Sequence, residues 1–212
     1  MMKASIAAAV LLFGSGLPAV ASAQAAPAAP AGLPPGVYVG ERDPSLAPAG
    51  TYALDPAHAA VIARVPHLRY SLSAFRFDKV AGTLTWDPAA PEKSKLSVTV
   101  KTASIATNVE GFAAEIADKY LTSAAFPDAT FVSTAFRRTG PTLGKVDGQL
   151  TLMGKTRPVT FDVALGGAGK GFGHPRIGVE ATTVINPVDY GLPPMLSDPI
   201  QLLVDVEFEQ TP

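Results

Sequence analysis

The stretch RPVTFDVAL, residues 157–165, alternates strictly: Val159, Phe161 and Val163 point one way, Thr160 and Asp162 the other. Residues 202–208, LLVDVEF, repeat the pattern, with Val204, Val206 and Phe208 set against Asp205 and Glu207. A period of two puts an oily and a wet face on one strand, an arrangement that the 3.6-residue period of a helix does not give. A sheet built this way must bury its oily face, either against a second sheet or by closing on itself. Nothing else in the chain limits its fold so strongly.

Similar runs follow one another at short spacing. They are SAFRFDKVAG, GTLTWDP, KLSVTVKTASI, ATFVSTAFRRT, KVDGQLTLMG and RIGVEATTVI, separated by turn signals such as Asp87-Pro88, Gly140-Pro141, Gly154-Lys155 and Gly166-Gly167. Near the start, Val61, Ala63, Val65 and His67 alternate with Ile62, Arg64, Pro66 and Leu68, so that strand is apolar on both faces. Many short strands predict an all-β, antiparallel sandwich or barrel. At about eight strands a barrel interior is either filled by side chains or holds one small ligand, and the alternation leaves both open.

One segment breaks the pattern. In NVEGFAAEIADKYLTS, Phe112, Ile116, Lys119 and Tyr120 recur at helical spacing, which predicts a short helix. It must end before Pro127, because the residue preceding a proline avoids helical angles. A lone helix beside a barrel plugs or caps it.

The chain opens with Lys3, an apolar run over residues 6–17 and then AVASAQ, the pattern of a secretory signal peptide cleaved after Ala23. The mature protein is expected to be soluble and exported. Residues 24–50 are rich in Ala, Pro and Gly and are expected to form an extended linker with no share in the core. Residues 51–210 then form one domain. The absence of cysteine excludes disulfides and an acylated anchor. A net charge of −1 with interspersed signs lacks the basic footprint of nucleic-acid binding.

Catalytic patterns are few. The three histidines, His58, His67 and His174, form no HExxH motif, and Asp55 with His58 and His67 would make only a thin metal site. The simpler reading has His58 capping a turn after Asp55-Pro56, and His67 ending a strand with its ring bonded to backbone. No Gly-x-Ser-x-Gly elbow surrounds Ser104 or any other serine. Asp78, Asp147, Asp162, Asp189, Asp205 and Glu207 read as solvated carboxylates. GGAGKGFG, residues 166–173, lacks the Walker spacing and reads as a hairpin loop. Lys155 and Arg157 suit either an anionic head group or ordinary turn chemistry. The residues therefore predict neither an enzyme nor a cofactor or metal centre.

Five segments in order resemble the YceI-like family of periplasmic lipid-binding proteins. The first is YALDPAHAAVIARVPHL, with Tyr52, Asp55, Pro56, His58, His67 and Leu68. FDKVAGTLTWDP follows, then VKTASIATN with Ser104, Ile105 and Thr107, then DGQLTLMGKTRPVTFDV and INPVDYGLP. The match runs from Tyr52 to Phe208. Departures include Ala59 where the family often has serine and Pro187 where it often has arginine.

The resemblance implies an extended, lipocalin-like barrel of about eight antiparallel strands with the short helix inserted. Its channel would bind and carry a long isoprenoid-type lipid, quinone-like or polyprenyl, without chemistry. The lining expected from the early strands is Val61, Ala63, Val65, Phe77, Leu84 and Trp86, followed by Val98 and Val100. The helix would add Phe112 and Ile116. Later strands would supply Phe131, Leu150 and Leu152, the trio Val159, Phe161 and Val163, then Val179, and finally Val204, Val206 and Phe208. The lipid is the expected partner; transient membrane contact and a homodimer are compatible with it. The alternative is a packed barrel that acts in periplasmic stress response or in assembly with a membrane partner.

Overall fold

A computed structural model describes residues 32–212, so the expected signal peptide over 1–23 lies outside the described residues. Ten strands occur among them: β1 (Gly50–His67), β2 (Ser71–Phe77), β3 (Val80–Trp86), β4 (Lys95–Lys101), β5 (Ile105–Ala106), β6 (Asp128–Arg138), β7 (Leu143–Leu152), β8 (Lys155–Gly169), β9 (Arg176–Ile185) and β10 (Ile200–Gln210). All pair antiparallel, in the order β10-β9-β8-β7-β6-β4-β3-β1, and β1 pairs back onto β10. Eight strands thus close a barrel, and β2 and β5 extend it beside β1. Closure removes most of the open edge that would otherwise recruit other chains.

β1 makes this possible by bending. Tyr52 and Ala53 pair with β3 on one side, whereas residues from Val61 to His67 pair with β2, and β10 pairs on the other side from Tyr52 to Leu54 and from Ala59 to Arg64. The change of partner follows a register shift between Leu54 and Ala59. Within it, the Asp55 carboxylate accepts a hydrogen bond from the Ala57 amide at 2.9 Å, and Pro56 has no amide to give to a ladder. The Asp-Pro-Ala-His segment is therefore the hinge of the strand.

The change of partner leaves a gap between β2 and β6, and the helix fills it. α1 (Phe112–Glu115) continues into a wider turn, Ile116–Tyr120, in which the Leu121 amide reaches back to the Ile116 carbonyl at 2.9 Å. Phe112 packs against Phe75 of β2, ring centres 6.4 Å apart, and Lys119 turns outward to pair with Glu115 at 3.1 Å. A second gap opens because β8 joins β9 only from Asp162 onward. The 3₁₀ turn Pro187–Tyr190 lies against this part of β8, capped by the Asn186 side chain on the Val188 amide and ended by Gly191 at φ 87°. Pro158 sits on the same locally unpaired edge, where its missing N–H costs nothing.

Two clusters of inward side chains occupy the ends of the barrel. One gathers Tyr52, Leu54, Leu165, Ile177, Val206 and Phe208; the other gathers Ile105, Phe131, Leu150, Phe161, Ile185 and Ile200. Burying each large side chain contributes about 1.5–3 kcal/mol. Between them the wall is built partly from small residues. Val163 faces Gly144 across one ladder and Ala181 across the next, and Val204 lies between Ala181 and Val61.

The arm before β1 departs from expectation. The Tyr38 amide donates to the Gly171 carbonyl at 2.8 Å, Glu41 bridges to Ala168, and Ala47 is wholly buried. The Tyr52 hydroxyl donates to the Pro48 carbonyl at 2.7 Å and the Trp86 indole to the Ala47 carbonyl at 3.2 Å. From Tyr38 onward the segment expected to be a free linker is thus part of the packed unit. Its proline-rich composition suppresses helix and sheet propensity, but it does not prevent docking through backbone groups that neighbours satisfy.

Candidate functional site

The inward faces enclose a cavity of about 600 Å³, within the roughly 300–1,000 Å³ range of sites that bury a small molecule. Its lining on β7 runs from Leu143 to Leu152. That is about 30 Å of strand, or somewhat over 20 Å along the axis of a tilted barrel. The shape suits an extended molecule.

Every lining position expected from the sequence borders this cavity except one. Val61, Ala63 and Val65 line it from β1, with Phe77, Leu84, Trp86, Val98 and Val100 on the adjoining strands. Phe112 and Ile116 face it from the helical turn, and Phe131, Leu150, Leu152, Phe161 and Val163 from the middle of the sheet. Val179, Val204, Val206 and Phe208 complete that set. Val159 is the correction. It shares the inward face of Phe161, but it lies near the start of β8, where the 187–190 turn covers the strand, and it packs half-buried into the cluster of Tyr190 and Leu192.

Several lining residues escaped the sequence reading. Ile177, Ala181, Ile185, Ile200 and Leu202 lie on the same faces as residues already identified, and extending the period of two would have found them. Phe136 gave no such signal. Counting by two from Phe131 places it outward, but a register shift between Ser133 and Ala135 turns it in. Leu192, Met195 and Leu196 come from an irregular segment without periodicity.

Polar groups stand at the ends of the cavity. One end is bordered by Pro66, His67, Ser73, Met195 and Leu196, the other by Arg137, Arg138, Lys145 and the 140–143 turn. Arg138 is occupied with the carbonyls of Gly140 and Pro141 at 3.0 and 3.2 Å. Among the described residues no carboxylate lines the cavity. Lys155 and Arg157, considered for a head group, do not border it; Lys155 reaches over Gly191, and Arg157 bonds its neighbour's carbonyl.

The histidines separate as the topology requires. His58 lies in the β1 hinge, with Nδ1 2.8 Å from Asp55 Oδ2, while His67 ends β1 at the cavity mouth. They do not share a site, and no hydrogen bond from the His67 ring to backbone is formed among the described residues. Instead Asp55 and His58 meet Glu207. The space between the carboxylates already holds a cation: Arg176 Nη1 lies 2.8 Å from both Asp55 Oδ2 and Glu207 Oε2, and Nη2 lies 2.7 Å from Glu209. This cluster sits outside the cavity lining and ties strands together.

A closed antiparallel barrel of eight strands around an apolar interior, with a short helix set into its wall, defines a lipocalin-like architecture. The YceI-like domain matches residues 52–208, and the chain belongs to the YceI-like family. It is 42% identical over 170 residues to a UPF0312 protein of Pseudomonas putida (strain W619), covering 75% of this chain and 86% of that protein. Solved structures share the fold. BcnA of Burkholderia cenocepacia superposes with a TM-score of 0.66 at 22% identity, covering 73% of this chain and 98% of that one. A polyisoprenoid binding domain from Saccharophagus degradans superposes at 0.57 with 17% identity, covering 76% and 98%.

Proposed function

We propose that the protein binds a long apolar lipid of isoprenoid type, quinone-like or polyprenyl, in the barrel interior, and carries it through the periplasm without chemical change. The observation that supports this most directly is the cavity itself, lined predominantly by apolar side chains, with its charged residues at one end. The polyisoprenoid binding domain of similar fold adds support for the ligand class.

The energetics suit a carrier. Each buried methylene is worth about 0.8 kcal/mol against water, so a long chain held against water alone would exceed the practical affinity limit of roughly 18–21 kcal/mol. The working comparison is between a membrane and the barrel, both apolar. The difference is then small, and loading is reversible.

Protein purified from the periplasm, extracted with organic solvent and analysed by mass spectrometry, is expected to yield a prenyl lipid at near one copy per chain. If the extract is empty and delipidated protein takes up no added prenyl lipid, the reading fails. The packed-barrel alternative has no comparable support, because Gly144 and Ala181 stand where large side chains would be needed to fill the interior.

A further inference from the structure

We propose that the β1–β2 turn is a docking tip that sets one mouth of the cavity against an electrically neutral lipid bilayer. The proposal rests on the reading of the cavity as a lipid carrier and concerns the surface through which the lipid enters and leaves.

The tip is oily where a soluble turn is ordinarily polar. Leu68, Tyr70 and Met195 are 77%, 89% and 76% exposed, and Leu72 adds to the same hairpin. The turn is closed by the Tyr70 amide on the His67 carbonyl at 3.0 Å, and both central residues are left-handed, Leu68 at φ 50° and Arg69 at φ 62°. The strands pair up to His67 and Ser71, leaving Leu68, Arg69 and Tyr70 as the turn, and two successive left-handed positions favour Asn-Gly. A bulky leucine here accepts backbone strain and projects into water, and no fold requirement explains it.

The tip is also continuous with the mouth. Pro66 and His67, just before the turn, and Met195 and Leu196, on the facing loop, border the main cavity. A smaller hollow of about 260 Å³ beside them is lined by Val65, Pro66, Leu68, Arg69, Met195, Leu196 and Asp198. The two loops are stapled together: Arg69 donates from Nε and Nη2 to the Asp198 carboxylate at 3.1 and 3.0 Å. The turn and the facing loop therefore stand beside the opening as one unit.

This pairing decides the partner. Arg69, the one cation of the turn itself, is paired with Asp198, so the tip offers mainly apolar side chains and an amphipathic tyrosine. Aromatic rings with a polar end favour the membrane interface, and apolar side chains favour the acyl boundary beneath it. A second copy of the chain fits poorly, because a stable interface needs about 800 Å² from each partner and a projecting three-residue turn presents little flat area. A bilayer accommodates a narrow tip and lets the cargo pass without crossing water.

The test uses the full mature chain and vesicles of pure phosphatidylcholine. Wild-type protein is expected to float with the vesicles equally at low and high salt. Leu68→Ser with Tyr70→Ser is expected to weaken flotation about tenfold or more. The double variant is expected to bind a prenyl lipid supplied in detergent as the wild type does, but to take it from vesicles more slowly. In a second measurement, the fluorescence of the Tyr70→Trp variant is expected to be quenched by vesicles of brominated phosphatidylcholine, beyond the baseline of Trp86, the only native tryptophan.

Flotation unaffected by the double variant, no added quenching in the Tyr70→Trp variant, or binding that needs anionic lipid and vanishes with salt would overturn the proposal. So would a dimer in sedimentation that the double variant dissolves, since the tip would then be a contact between copies. Failure to bind prenyl lipid in detergent is a separate result: it removes the carrier reading and leaves the vesicle measurements to judge the tip.

Discussion

Arg176, at the start of β9, places Nη1 2.8 Å from Asp55 Oδ2 in the hinge of β1, across 121 positions of sequence. The same guanidinium bonds Glu207 and Glu209 of β10, and the Phe172 ring lies 5.2 Å from its centre. One side chain thus joins the strands on both sides of β10 at the point where β1 changes partners. Its replacement by methionine leaves three carboxylates facing one another, two of them partly in water. A loss of about 2–3 kcal/mol in urea unfolding is expected. Lysine is expected to recover little of it, since a single ammonium does not reproduce the fork.

Asp55 gives this cluster a pH signature. Hydrogen bonds from His58 first, and from Arg176 next, hold its carboxyl at about 2, below the ordinary value of 3.8. A folded value below the unfolded one stabilises above about pH 4, and that stability is lost as pH falls toward 2. The contribution is at most about 2.4 kcal/mol, and solvent screening lowers it. His58→Ala is expected to raise the Asp55 pKa and shift acid unfolding to higher pH, measured by NMR titration and by urea midpoints at each pH.

Gly148 sets how the Phe131 ring lies on the wall. A Cβ at this position would come within 2.4 Å of Phe131 Cζ and 2.6 Å of the Val132 carbonyl oxygen. The backbone contact has no flexible end to move, and the ring is held by an edge-on contact with Phe161 at 5.0 Å. Gly148→Ala is expected to cost about 1–3 kcal/mol in thermal or urea unfolding.

Ala181 tests the hollow directly. It borders the cavity between Val163 and Val204, and a larger side chain there has empty space to enter. Ala181→Phe is expected to change stability by less than about 1 kcal/mol, against the 1–3 kcal/mol typical of overpacking a solid core. Prenyl-lipid capacity, measured by extraction, is expected to fall sharply. A large loss of stability would mean that the interior is already full.

Much of this protein was legible in its residues because the side-chain period of a strand is local. The alternation of Val204, Val206 and Phe208 names its own inward face, and the spacing of Phe112, Ile116 and Tyr120 names a helical one, whatever lies opposite. The failures fall where that period is interrupted. The shift after Ser133 turns Phe136 inward, the hinge at 55–58 resets β1, and a turn from another part of the chain covers Val159. Alternation also states which side chains face inward without stating what they meet. Whether they meet each other or a cavity depends on barrel closure and on small residues such as Gly144 and Ala181 lying across from larger ones, a register that only pairing fixes. The Arg176 cluster, the docked arm from Tyr38 and the stapling of the β1–β2 turn to the loop of Met195 arise in the same way. Each joins segments that no local pattern connects, and only the folded chain brings them together.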